Sequence, residues 1–410
     1  MLVRAKHHRR HLTVHTFYQV PELLAIICLV GALFSLATSF KLANNRPTVS
    51  SRVSMNPLDH ISLAAFGALR SGFHSQNPIL LASPGGLNIQ DAINALPESG
   101  GIIELSPGVY TLTASISMRS NVTIEGPRSA IVSPEMNFGA FTNSESISNV
   151  TFHGFTLKAS GIALANVDQV SVESMAFLNT ESTAVNFMDP VTHISILDNY
   201  CEAPTSYFCF AIGSSASPNP QDSDWIIRGN TMQDCAANCI LVRGGKHIVI
   251  AENIASGCGD TCIEVGTGTS QAVVSANVVD TSASTTAVPI VGISTRSSQH
   301  NAVVSNSVNG NPDDTNGNCY LAWHGSETGE SQAERYNLYV GNVASNCFIG
   351  FKTANANHFT VGAFDFSKTG TAARLDRWSL DHVELPSRGD ARVIMPTGAH
   401  LHPEMTPLDF

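Results

Sequence analysis

The chain has 410 residues, and its 33 acidic against 22 basic side chains give a net charge of −11. Charged residues are 13% of the total, against roughly 25% in an ordinary soluble domain, and Ser, Thr, Asn and Gly fill the deficit. That composition suits short strands and many turns, and the acidic balance excludes a nucleic-acid partner, which requires a basic face. The length could hold two or three ordinary domains, or one long repeat array in which each coil touches only its neighbours.

The N-terminal segment 1–22 carries Arg4, Lys6, Arg9 and Arg10, and the apolar run 23–40, LLAIICLVGALFSLATSF, contains no charge. The run is long enough to span a bilayer and longer than an ordinary signal-peptide core. Its basic flank predicts that the N-terminus stays inside and the rest is exported. We expect a signal anchor holding the protein to the membrane, with a cleaved signal peptide and secretion as the alternative. Cys28 follows Ile26 and Ile27, so the small residue that precedes a lipoprotein cysteine is missing. Residues 41–84 are rich in Ser, Pro and Asn and read as a flexible linker.

The segment NIQDAINAL, 88–96, sets Ile89, Ala92, Ile93 and Leu96 on one helical face. A helix here is expected to cap the first coil of a repeat array, which must hide its open core.

Six asparagines then mark a repeat: Asn199, Asn230, Asn253, Asn277, Asn306 and Asn342 end the runs ISILDN, WIIRGN, IVIAEN, AVVSAN, NAVVSN and NLYVGN. Their spacing varies from 23 to 36 residues, while the period-2 apolar pattern persists, which signals stacked strands. Equivalent side chains in such a stack lie ~4.8 Å apart. Asn amides could therefore hydrogen-bond along the column, and Asn also tolerates a left-handed turn. The coils begin at Asn121, Asn149, Gln169, His193, Asp224, His247, Gln271, Asn301 (after His300), Tyr336 and His358, about ten in all. A second strand also aligns from coil to coil: CFAIG, CILVR, CIEVG, PIVGI, CYLAW and CFIGF. Its second and fourth positions are apolar and should point inward, and its third and fifth outward.

The stretch INALPESGGIIELSPGVYTLTASISMRSNVTIEGP, followed by Asn-ended coils, resembles the pectate lyase-like superfamily over residues 85–364. The resemblance implies an all-β, right-handed parallel β-helix of about ten coils with an N-terminal capping helix, followed by a C-terminal cap or tail at 365–410. It implies less about activity, because the superfamily holds lyases, hydrolases, epimerases and non-catalytic surface proteins. Its enzymes work on polysaccharide in a groove along one outer sheet. Carboxylates serve there as acid and base, and lyases add Ca²⁺.

Eight cysteines follow the apolar run: Cys201, Cys209, Cys235, Cys239, Cys258, Cys262, Cys319 and Cys347. The repeat aligns Cys235 with Cys258, and sets Cys209, Cys239, Cys262, Cys319 and Cys347 in one column with Pro289 in the gap. Disulfides Cys235–Cys258 and Cys319–Cys347 are the favoured pairs, because adjacent coils lie within disulfide reach. A column of close-packed thiols is the alternative, and the two C-x3-C segments also leave a metal site open.

The outward positions and their flanks bring together Asp260 and Glu264 as candidate catalytic or Ca²⁺-binding carboxylates. Arg243, Arg296, Trp323, His324 and Lys352 are candidate substrate contacts. GDTCIEVG (259–266) is similar to the paired-aspartate segment of polygalacturonases, but Thr261 replaces the second acid. In SNCFIGFKT (345–353), Lys352 matches the lysine of that family's Arg-x-Lys, and the arginine is missing. The column His193, His247, His300 and His358 falls on the turn position that Asn, Gln and Asp occupy elsewhere, so it reads as structural. Loops 309–318 and 325–335 could wall one end of a groove. The functional expectation is an exported protein that acts on or binds polysaccharide, with uronate-containing glycans favoured. The alternative is a non-catalytic surface protein that uses the helix as a rigid rod.

Overall fold

The computed structural model describes residues 78–374, apart from short stretches at 136–138, 182, 204–207, 214–218, 220, 283, 285–289, 312–316, 324–335, 355–358, 363 and 368. It also describes strands His382–Val383 and Val393–Ile394. The expected signal anchor, most of the expected linker, Pro289, His324 and His358 lie outside the described residues. Among the described residues no helix is long and apolar enough to cross a membrane.

The described residues wind into an all-β, right-handed parallel solenoid of about ten coils with one helix. Each coil lays down three strands. In one coil these are Ser223–Arg228, Thr231–Gln233 and Asn238–Val242; one coil on they are Lys246–Ala251, Ile254–Ser256 and Thr261–Val265. The short middle strands form an 11-stranded parallel sheet. The other two stacks merge into a 23-stranded sheet, because Ile162–Glu173 and Val185–Leu197 run through the corner between them without a break. Alternation sets the faces. Along Ser223–Arg228, Trp225 and Ile227 are fully buried and Ile226 is exposed. The core is one continuous cluster from Ala82 to Ala373.

The helix spans Ile89–Ala95. The Asn88 side chain accepts from the Asp91 N–H at 2.8 Å, an N-cap. At the other end Arg119 Nη2 donates to the carbonyls of Ile93, Leu96 and Pro97 at 3.1, 2.7 and 2.9 Å, which satisfies carbonyls that helix geometry leaves open. Strand Ile79–Ala82 pairs with Gly101–Leu105, so the sheet begins inside the stretch expected to be linker. It carries no Asn marker to reveal it. Strands also continue past the expected end of the repeat, at Asp365–Ser367 and Thr371–Arg374.

The asparagines form an unbroken internal ladder. Asn230 donates from both its backbone N–H and its Nδ2 to Asn253 Oδ1, at 3.0 and 2.9 Å. Asn253 repeats this to Asn277, Asn277 to Asn306, and Asn306 to Asn342. The second Nδ2 proton goes to a carbonyl inside the helix, Ile227 O for Asn253 at 2.9 Å. All six are at most 2% exposed. The left-handed conformation belongs elsewhere, however. It is adopted by the preceding residue, as at Asp198, Gly229, Glu252, Ala276, Ser305 and Gly341, which turns the chain so that the Asn amide points inward. Apolar residues close both ends of the column: Met175 N donates to Asn199 Oδ1, and Phe364 occupies the position after Asn342.

The histidine column is a turn column. Asn121, Asn149, Gln169, His193, Asp224, His247, Gln271, His300 and Tyr336 all have φ between 52° and 64°, where short polar side chains are favoured over branched ones. Acids alternate with the first two imidazoles. His193 Nδ1 lies 2.7 Å from Asp168, and His247 Nδ1 lies 3.4 Å from Asp224. His300 instead stacks on Tyr336 with centroids 5.1 Å apart.

The cysteines correct two expectations. Cys258 is bonded to Cys262 within its own coil, not to Cys235. The turn folds back so tightly that the two Cα atoms are 5.3 Å apart, inside the span a disulfide needs. Cys347 also leaves the column assigned to it. Asn318 pairs with Ile349, so Cys319 has Gly350 beside it. Cys347 follows the left-handed Asn346 and so belongs to the turn column of Cys235 and Cys258. It is bonded to Cys319 one coil away, and a third disulfide joins Cys201 to Cys209. Cys235 and Cys239 are buried, and their sulfurs stand 2.7 Å apart without a bond between them.

Candidate functional site

Strand register fixes which predicted residues meet. On the outer face of the second-strand stack one column reads Ala211, Leu241, Glu264, Ser294, Leu321, Lys352, Arg374. The column two residues further along each strand carries Arg243, Gly266, Arg296 and Trp323 on four successive coils. Gly266 matters because it has no side chain. An added Cβ would lie 2.9 Å from Arg243 Cγ, so the gap lets both guanidiniums lean toward Glu264.

Glu264 lies beneath them. It is 6% exposed although it projects from the outer side of the sheet. Arg243 Nη2 stands 3.8 Å from its Oε1, and Asn238 Nδ2 donates to Oε2 at 3.0 Å. Burial pushes the Glu264 carboxyl above its usual range, while Arg243, Arg296 and the Asn238 hydrogen bond pull against that. Glu264 Oε1 and Arg243 Nε are buried without a hydrogen-bond partner. Asp260, just before the strand, remains exposed at the rim. Crowding by the protein raises its carboxyl too, and Arg296 and the Thr261 hydroxyl oppose the rise. The Arg296 guanidinium sits 4.4 Å over the Trp323 ring, a cation–π contact that fixes both side chains.

The structure therefore gathers Asp260, Glu264, Arg243, Arg296 and Trp323. Lys352 stands apart: three strand steps of ~4.8 Å put it roughly 14 Å from the Glu264 row. Burial and then the positive charge of Arg374 lower its pKa. The second strand of its coil is entered three residues later than the alignment of Cys347 with Cys319 implied, so Lys352 pairs with Leu321. His324 lies outside the described residues. Asn238 went unnoticed in the sequence, although it occupies the position of Thr261 and Asn318 directly before the aligned cysteines.

The Ca²⁺ expectation does not fit these residues. Two guanidiniums already oppose the two carboxylates, and no group of three or more His, Cys, Asp or Glu among the described residues could hold a metal ion.

A second carboxyl pair was not anticipated. Asp222 is 1% exposed, and its Oδ1 accepts the Val191 N–H at 2.7 Å. Burial, reinforced by a hydrogen bond with Asp189, pushes it up to about 7. Asp222 sits in the irregular segment before the coil start at Asp224, where no periodic pattern marks it.

Glu264 acts as the shared counter-charge of this face. Removing one member of a buried ion pair costs about 3–5 kcal/mol. The Arg243 side chain is 26% exposed, which argues for the low end. Glu264→Ala should therefore lower stability by about 2–3 kcal/mol in urea unfolding. Glu264→Gln, which keeps an acceptor for Asn238, should cost less. An alanine variant as stable as the parent would remove Glu264 from this role.

No family model and no curated protein matches the chain. Solved structures do. A surface adhesin of Streptococcus pneumoniae, PfbA, aligns with TM-score 0.54 and 10% identity, over 74% of this chain and 86% of that one. An alginate lyase from Paenibacillus sp. aligns with TM-score 0.48 and 15% identity, over 75% of this chain and 99% of that one. A mannuronan C-5 epimerase module of Azotobacter vinelandii aligns with TM-score 0.45 and 12% identity, over 75% and 93%. At such identities the likeness is one of fold: the chain is a parallel β-helix.

Proposed function

We propose that this is an exported β-helix protein that binds acidic polysaccharide along the outer face of the second-strand stack. One observation carries the reading. Two guanidiniums and an indole are held rigidly in one row, tethered from below by a carboxylate too buried to compete for ligand. A uronate chain offers a carboxylate for each arginine to grip in bidentate fashion, and a sugar face for Trp323. The three disulfides support export, since such bonds persist in oxidising compartments. The N-terminal run 23–40 would then serve as anchor or signal.

Catalysis is the further step of this reading. Asp260 is the exposed carboxyl at the rim and its pKa is raised, as an acid–base group requires. Glu264 positions the arginines and does not touch substrate. The non-catalytic reading is favoured by that same burial, which leaves Asp260 as the accessible acid of the cluster.

Binding of the full chain to polygalacturonate, alginate and a neutral glucan, followed by calorimetry, tests the proposal. Arg296→Ala and Trp323→Ala should each weaken binding to the acidic polymers about tenfold, the worth of one charge-assisted or stacking contact. Added salt should weaken it further. Release of reducing or unsaturated sugar that disappears in Asp260→Asn would assign catalysis. Equal binding to the neutral glucan, or affinity unchanged in both variants, would overturn the site.

A further inference from the structure

The six cysteines 201 to 262 form a continuous run of sulfur through the core. Cys209 and Cys235 sulfurs are 3.3 Å apart, Cys235 and Cys239 2.7 Å, and Cys239 and Cys258 3.2 Å. The two ends of the run, Cys201–Cys209 and Cys258–Cys262, are disulfides. The middle pair is close but not bonded.

We infer that Cys235 and Cys239 are a fourth disulfide of the mature protein. Two turns of the chain are alike. Met232 pairs with Ala255 and Ile240 with Ile263, so Cys235 stands directly beneath Cys258 and Cys239 beneath Cys262. Asp234 and Gly257, the residues that turn the chain into each segment, have φ of 54° and 64°. Both turns also bond to the coil above in the same way, Asp234 N to Ser256 O and Gly257 N to Asp280 O. The backbone that brings Cys258 and Cys262 within bonding distance is thus repeated one coil earlier with the same two side chains on it. All four of these sulfurs are buried in one core. Two staples then lie one above the other and close the same turn on successive coils.

The bond needs an oxidant, and a small disulfide such as glutathione disulfide supplies it. Cys235 thiolate attacks one sulfur of that disulfide and releases one thiol. Cys239 thiolate then attacks the Cys235 sulfur, breaks the mixed disulfide and releases the second thiol. Two protein thiols are oxidised and one small disulfide is reduced to two thiols. Closure belongs to the stage before the coil stack is complete. Once folded, burial pushes the Cys239 thiol well above its usual range and keeps it from forming the thiolate.

The sequence makes the test clean. Trypsin cuts after Arg228, Arg243 and Lys246, so the peptide 229–243 holds Cys235 and Cys239 and no other cysteine. The full chain, secreted or refolded in a glutathione redox buffer, is denatured, alkylated without reduction and digested. The expected result is peptide 229–243 unalkylated and lighter by the two hydrogens lost on bonding. Alkylation of both cysteines would overturn the inference, and would leave the pair as packed thiols or a soft-metal site. Peptide 229–243 cross-linked to the peptide of Cys209 or of Cys258 would overturn it equally.

Discussion

Asn253→Ala will cost this protein about 3–9 kcal/mol, a large part of the roughly 5–15 kcal/mol that holds an ordinary domain together. The substitution strips the acceptor from two buried donors, the backbone N–H and Nδ2 of Asn230. It also strips the donor from Ile227 O. Each group is shut away from water, so each loses a hydrogen bond that nothing replaces, at about 1–3 kcal/mol apiece. Asn199→Ala should cost less. The residue before it in the column is Met175, which offers a backbone N–H to the amide but no side-chain donor. Urea unfolding followed by circular dichroism measures both. A loss below about 1 kcal/mol for Asn253→Ala would mean that the ladder bonds are replaceable.

The second expected result concerns pH. Asp222 has its pKa raised from 3.8 to about 7, so between those values the folded protein holds a proton that the unfolded chain has released. Stability contributed by this group therefore falls as pH rises from about 4 to about 7, and levels off above. The shift corresponds to at most about 4 kcal/mol, at about 1.4 kcal/mol per unit. Asp222→Asn keeps an oxygen for the Val191 N–H and cannot ionise. The variant should match the parent near pH 4 and exceed it in stability increasingly up to neutral pH. A gap between the two that did not change with pH would refute the raised pKa of Asp222.

The scaffold was legible because its signals are local and repeat. A ladder Asn, an alternating strand and a left-handed turn residue sit at fixed offsets, and each coil shows them again. The register derived from them set Cys239 beside Cys262, as the strand pairing has it, but by putting Pro289 in the cysteine column it set Ile293 beside Trp323, where Arg296 in fact lies. It failed where a coil changes the length of one turn. Aligning Cys347 with Cys319 shifted the last second strand by three residues and carried Lys352 to the wrong row. The disulfide Cys258–Cys262 was missed for a related reason: stacking distance between coils is visible in the repeat, whereas the tightness of a turn within one coil is not. The depth of Glu264 was hidden as well. Alternation says that it faces outward, but what buries it is the approach of Arg243, Asn238 and Arg296 from neighbouring coils. Asp222 and Asp189 meet across an irregular stretch that has no period at all.

The ladder also governs how long such a molecule can be. Its bonds all run one way, each amide oxygen receiving from the coil before it, so any coil bounded by two ladder asparagines presents the same interface below and above. A coil such as 231–253 is in that sense interchangeable: excised or duplicated, it would rejoin Asn to Asn. Outside the column the grammar changes. Met175 at one end and Phe364 at the other offer no side-chain amide, and beyond Asn342 the core fills with packed aromatic rings, Phe351, Phe359, Phe364 and Phe366. The span from Asn199 to Asn342 is therefore the part of the molecule in which one coil-to-coil interface repeats, while the two flanks carry different contacts.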